Sequence, residues 1–164
     1  MSHVRLCTHR AGGLRLTVAE ARLAMDATLF ADGGSRGNPG PAASAAVLLD
    51  PHGETIEEVD EYLGVATNNV AEWTALLLGL EAARRRGIRR LAVRLDSELV
   101  VKQLRGEYRV KHAGLQPLYQ KARALVRAFD EIDIKHVRRK ENALADHLVN
   151  RVLDLQTAPP PAEA

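Results

Sequence analysis

Apolar and polar positions alternate with a short period in the first half of the chain and a longer one afterwards. Ala27 to Asp32 reads as a short strand, and Gly33-Gly-Ser-Arg-Gly-Asn-Pro-Gly-Pro41 as a turn-rich loop. Ala42 to Leu49 is a small apolar run that ends in a hairpin-type turn, Asp50-Pro-His-Gly53. Glu54 to Leu63 alternates loosely and predicts a third strand. Val70, Trp73, Leu77 and Leu80 then recur at helical spacing, with Gly87 as the stop. Arg90 to Leu95 has the pattern of a buried strand, and Ser97 can cap a helix that runs to Arg105. A further helix over Leu115 to Phe129 leads into a strand at Asp133 to Val137. Asn142 can cap a last helix, with Leu144, Leu148 and Val152 on one face.

The resulting order is β-β-β-α-β-α-α-β-α. Tight turns make the first three strands an antiparallel meander, and helical crossovers make the later strands parallel. The expectation is an α/β fold with a mixed sheet flanked by helices. It occupies residues 27–156, after an N-terminal extension at 1–26 and before a Pro-rich, disordered tail at 157–164. The 164 residues are 46% hydrophobic and 27% charged, which suits one globular domain and excludes a collagen-like or coiled-coil chain. No apolar run is long enough to span a bilayer, and Met1 to Ala11 has no apolar signal core. With Cys7 as the single cysteine, a cytoplasmic protein without membrane contact is expected.

Charge changes the picture. The net charge of +2 conceals a net of −6 over residues 1–83, +11 over 84–140 and −3 over 141–164. The basic middle fits either a polyanionic partner or a plain solvated face. Six aromatic residues supply few stacking platforms, which argues against a single-strand binder.

Four acids stand out by position. Asp32 ends the first strand, Glu72 lies in the first turn of the long helix, Asp96 ends the fourth strand, and Asp146 lies near the start of the last helix. Strand ends and helix starts are where α/β sheets place sites. Each acid alone also fits a structural role, Asp96 as a helix cap and Glu72 and Asp146 as complements to helix dipoles. Brought together by one fold, they would repel unless divalent cations neutralised them. An all-oxygen donor set with no cysteine or histidine pattern points to Mg2+ or Mn2+ and away from zinc.

Asp32-Gly-Gly-Ser-Arg-Gly-Asn-Pro-Gly-Pro41 resembles the first signature of the ribonuclease H type 1 family. Thr67-Asn-Asn-Val-Ala-Glu72, Leu95-Asp-Ser-Glu-Leu-Val-Val-Lys-Gln103 and Arg138-Arg-Lys-Glu-Asn-Ala-Leu-Ala-Asp146 resemble the second, third and fourth, in family order. The resemblance covers Ala27 to Leu155. It implies the ribonuclease H-like fold, a five-stranded mixed sheet with three antiparallel and then two parallel strands. It also implies an endonuclease that hydrolyses the RNA strand of RNA–DNA hybrids and leaves 5′-phosphate and 3′-hydroxyl ends. A non-catalytic module that binds hybrid or double-stranded RNA on the same fold is the alternative, and loss of an acid would favour it.

By the same resemblance Asp32, Glu72, Asp96 and Asp146 hold two Mg2+ or Mn2+ ions, with Asp32 as the bridge. Asp146 then serves the attacking-water side, and Glu72 the leaving-group side. Gly33, Ser35, Asn38, Asn68, Asn69 and Gln103 match hybrid-binding positions, and Thr67 a position that grips a DNA-strand phosphate. A turn-and-cap role remains open for Asn38, Asn68 and Asn69. The chain lacks the basic, tryptophan-bearing protrusion of some bacterial members, since Arg105 to Gly114 runs straight into the next helix. It also lacks their histidine in the loop before the last acid. Arg138, Arg139 or Lys140 is expected to supply an electrostatic substitute, while His136 and His147 nearby read as structural. The expected partner is an RNA–DNA hybrid, bound by a monomer.

Overall fold

The computed structural model describes residues 25–157. The chain runs β1 (Ala27–Ser35), β2 (Gly40–Leu49), β3 (Thr55–Ala66), α1 (Asn68–Arg85), β4 (Arg90–Leu95) and α2 (Glu98–Leu104). It continues through α3 (Gln116–Val126), β5 (Glu131–His136), a 3-10 turn (Arg139–Asn142) and α4 (Ala143–Thr157). The five strands form one sheet in the order β3-β2-β1-β4-β5. β1–β2 and β2–β3 are antiparallel, and β1–β4 and β4–β5 are parallel, as the connection lengths predict.

Each face of the sheet is buried by its own cluster. On one face Leu29, Leu48, Leu91, Val93 and Leu95 meet Trp73, Leu76 and Leu80 of α1 and Ala122 and Leu125 of α3. Trp73 is fully buried and packs edge-on to Tyr119, with ring centroids 5.9 Å apart, so the single tryptophan is a core residue. On the other face Ala43, Ala45 and Val47 of β2 meet Leu148, Val149, Val152 and Leu153 of α4.

Several boundaries differ from the sequence expectation. β1 does not stop at Asp32 but continues through Gly33 and Gly34 to Ser35, because ladder pairing with Ala42 to Ala45 of β2 outweighs the turn propensity of the glycines. Leu144 is 53% exposed, because the buried stripe of α4 is Ala145, Leu148, Val149, Val152 and Leu153. The expected extension and Pro-rich tail lie outside the described residues, apart from their edges. Of these, Asp26 is tied to β4 through the Arg89 and Arg90 backbone N–H groups, and Thr157 is the last residue of α4. Among the described residues no helix is long and apolar enough to cross a membrane.

Candidate active site

The antiparallel meander and the parallel crossovers share β1 as the central strand, and the site grows from its carboxyl end. Asp32 sits within β1 opposite Ala45 of β2, three residues before the strand ends. Asp96 directly follows β4, the parallel neighbour of β1. The cap of α2 is Ser97, whose hydroxyl accepts the Val100 N–H at 3.4 Å, so Asp96 is released from capping. Glu72 is the fifth residue of α1, beyond the first turn where the sequence reading put it, and its position is set by Gly33. A Cβ on Gly33 would lie 2.1 Å from the Ala71 carbonyl carbon and 2.5 Å from the Glu72 nitrogen. The α1 backbone therefore occupies the space that any side chain at position 33 would need. The Ser44 hydroxyl of β2 donates to the Ala71 carbonyl at 2.6 Å and pins the same turn. Asp146 comes from the first turn of α4 on the other face of the sheet.

All four acids line one cleft of about 360 Å³, together with Gly33, Gly34, Ser35, Asn68, Arg36 and Arg139. Burial, then the charges of Asp96 and Asp146, push the Asp32 carboxyl up to about 8. Burial also carries Glu72 to about 7, although hydrogen bonds from the Ser97 hydroxyl and the Asn68 amide oppose it. Asp96 is raised by burial as well, against a hydrogen bond from Asn142. The cleft is thus a concentration of carboxylates that protein cations do not neutralise. Arg36 pairs instead with Asp154 at the end of α4. Arg139 reaches Asp146 at 3.4 Å, but its side chain is 80% exposed and the pair is weak.

The expected substrate residues divide. Asn69 and Asn38 are exposed and do not line the cleft, and Asn38 Oδ1 accepts the N–H of Asn68, which does, at 3.1 Å. Asn68 Nδ2 donates to Glu72 Oε1 at 3.2 Å, so this residue orients an acid. Thr67 is the N-cap of α1, accepting from the Val70 N–H. The Ser35 hydroxyl is buried without a protein partner. Gly33 lines the cleft and is buried under α1, so helix–strand packing by itself requires its lack of a side chain. Gln103 is only 7% exposed, and its amide donates to the Arg109 carbonyl, bracing the loop after α2 from inside.

Of the three basic candidates, only Arg139 lines the cleft. Arg138 closes the 3-10 turn through its backbone N–H to Glu141, and Lys140 is an exposed residue of that turn. His136 is exposed, with Nε2 3.2 Å from the Asp96 carbonyl oxygen. Sequence reasoning missed two residues. Arg36 lines the cleft from within the first motif, where its charge amid glycines was the available signal. Asn142, expected to cap the last helix, is instead fully buried and donates to the Ala31 carbonyl at 2.9 Å.

Comparison with known proteins agrees with this geometry. The reverse transcriptase-like family matches residues 30–152. A Mycobacterium tuberculosis protein described as bifunctional is 43% identical over 141 residues, covering 85% of this chain and 39% of its own length. Ribonuclease HI of Halobacterium salinarum is 44% identical over 125 residues, covering 76% of this chain and 63% of its own. The chain therefore spans well under half of the first of these relatives. Among solved structures, the N-terminal RNase H domain of the M. tuberculosis protein superimposes with a TM-score of 0.78 at 42% identity, over 82% of this chain and 99% of that domain. A compost-derived RNase H1 solved in complex with an RNA/DNA hybrid gives 0.76 at 37% identity, over 80% of this chain and 99% of its own. With the fold, the motif order and the matched span in agreement, the chain belongs to the reverse transcriptase-like family and, within it, to ribonuclease H type 1.

Proposed function

We propose that this protein is a metal-dependent endonuclease that hydrolyses the RNA strand of RNA–DNA hybrids, acting as a monomer in a reducing cytoplasm. The observation that carries the reading is the convergence of Asp32, Glu72, Asp96 and Asp146, from four separate parts of the chain, in one cleft where, among the described residues, the only basic partner of an acid is the exposed Arg139 beside Asp146. A purely structural cluster of this kind would be selected against, since it lifts its own pKa values and destabilises the fold.

The donor set fits hard divalent cations such as Mg2+ or Mn2+. Among the described residues no three acids are already closed around a single point, so water and substrate phosphate would complete the coordination. Two bound cations would activate a water and stabilise the departing 3′-oxygen, giving 5′-phosphate and 3′-hydroxyl ends. Asp32, which feels the charges of Asp96, Asp146 and Glu72, would hold the cations together with those three acids. Asp146 and Glu72 enter from opposite faces of the sheet, which suits them to the water side and the leaving-group side. Asn68 and Ser97 hold Glu72 in orientation.

Asn38 and Asn69, exposed beside Asn68 of the cleft, would offer amide groups to 2′-hydroxyls in a wide, shallow minor groove. Thr67, exposed at the α1 N-cap, is placed for a DNA-strand phosphate. Arg139 takes the electrostatic role for which three basic residues were candidates. Arg109 and Lys111, exposed on the α2–α3 loop, extend the grip along the duplex.

The test is a labelled RNA–DNA hybrid incubated with Mg2+, Mn2+ or EDTA and resolved by product length. Cleavage of the RNA strand that stops in EDTA, with an all-DNA duplex left intact, is the expected result. Binding of hybrid without cleavage under any cation would overturn it in favour of the non-catalytic module.

A further inference from the structure

We propose that Asn142 is a positioning residue, whose buried amide locks β1, β4 and α4 together and so sets the spacing of Asp32, Asp96 and Asp146. This rests on the reading of the cleft as a catalytic site. Asn142 is 0% exposed, one of three buried polar or charged residues among those described. Its Nδ2 donates at 2.9 Å to the carbonyl of Ala31, the residue directly before Asp32 on β1. The same amide lies close enough to the carboxylate of Asp96, beyond β4, to lower that carboxyl's pKa against the effect of burial. It closes the 3-10 turn that launches α4, and Asp146 follows four residues later. One side chain therefore bonds the backbone under one acid, lies near the carboxylate of a second, and sits at the start of the helix that bears a third.

The chemistry of these neighbours explains the residue type. Both partners are acceptors, so the group between them must present two N–H bonds from one atom, and a primary amide does so. The orientation of the amide is fixed by that requirement. Its Oδ1 is then buried without a protein partner. An aspartate would fill the same volume but face two acceptors with two more. A leucine would fill the volume and offer nothing. The Asn142 amide thus helps hold β1, β4 and α4 together against the repulsion of the like charges they carry.

Two measurements test this, one of which needs no catalysis. In EDTA, Asn142→Asp should lower the melting temperature, and adding Asp96→Asn should restore part of the loss, because the donor has moved to the other side of the same contact. With hybrid and Mg2+, Asn142→Ser and Asn142→Asp should lower kcat about tenfold or more, leave KM within about twofold, and raise the Mg2+ concentration for half-maximal rate. If neither single variant folds, the Asp96→Asn/Asn142→Asp pair still reports the contact by its melting temperature against Asp96→Asn alone. Additive melting shifts, or folded single variants with wild-type kcat and Mg2+ requirement, would overturn the assignment. A wild-type protein that fails to cut hybrid while the melting shifts remain non-additive would instead defeat the catalytic reading and leave the contact intact.

Discussion

Asp26, just before β1, and Asp32, within its second half, meet opposite fates. At the lower end of β1, Asp26 is pushed up by burial, but N–H groups of Arg90 and Arg89 and the Arg90 guanidinium outweigh that, so its carboxyl lies below the ordinary value. At the upper end, Asp32 is pushed up to about 8 by burial together with Asp96, Asp146 and Glu72. Residue type, strand and sheet are common to both. What differs is the sign of the charge that the neighbouring elements deliver. The lower end is charge-balanced scaffold, continued by the Arg89–Asp130 pair. The upper end is left unbalanced, and such an imbalance persists in a fold only where a ligand relieves it.

The sharpest break in this comparison is at the upper end. Asp96→Asn should lower hybrid turnover in Mg2+ by about a thousandfold, some 4 kcal/mol in barrier height, while raising or preserving the melting temperature in EDTA. Single-turnover assays and calorimetry on the same preparation check both halves. More than a tenth of the wild-type rate in that variant would remove Asp96 from the site.

Gly33→Ala should come next. The added Cβ overlaps the Ala71–Glu72 backbone, so strand and helix must part, at about 3 kcal/mol. Chemical denaturation measures the cost, and activity should fall with it, because Glu72 moves away from Asp32.

The pH dependence should then separate the two ends by sign. Asp32 and Glu72 hold raised pKa values, so without metal the folded state binds more protons than the unfolded state between their ordinary and raised values. Stability in EDTA should therefore fall as pH rises from about 4 to 8, and Asp32→Asn or added Mg2+ should flatten that slope. A slope that is flat in EDTA, or unaffected by Asp32→Asn, would mean that the acids do not share their charge.

The smallest effect belongs to Asp26, whose pKa is lowered. Its contribution is present above the ordinary aspartate value and is lost as pH falls through the acid range. Asp26→Ala should cost about 1 kcal/mol at neutral pH, discounted for partial exposure, and nothing at about pH 2. Melting curves across that range provide the check, with turnover unchanged.

Much of this was legible along the chain. Hydrophobic periodicity and turn residues placed the five strands and four helices of the described residues, and Ser97 was recognisable as a cap. The four acids stood out by position and motif, and all four line the cleft. The misreadings share one cause. Gly33 and Gly34 look like a turn, yet pairing with β2 keeps them in β1. Gln103 and Asn142 look like surface or cap residues, yet both amides face inward to carbonyls contributed by other segments. Leu144 is the larger apolar side chain, yet Ala145 takes the core position, because the phase of α4 is set by the 3-10 turn before it.

Sequence alone therefore determined the order of elements, the mixed pairing of the strands and the identity of the acids, because periodicity, capping and turn chemistry act within a few residues. Only the tertiary structure decided which polar side chains line the cleft and which brace the scaffold, and that Asp32 sits among like charges while Asp26 sits among opposite ones. Burial and charge partners come from segments tens of residues apart, and desolvation is a property of the space between them rather than of any residue in it.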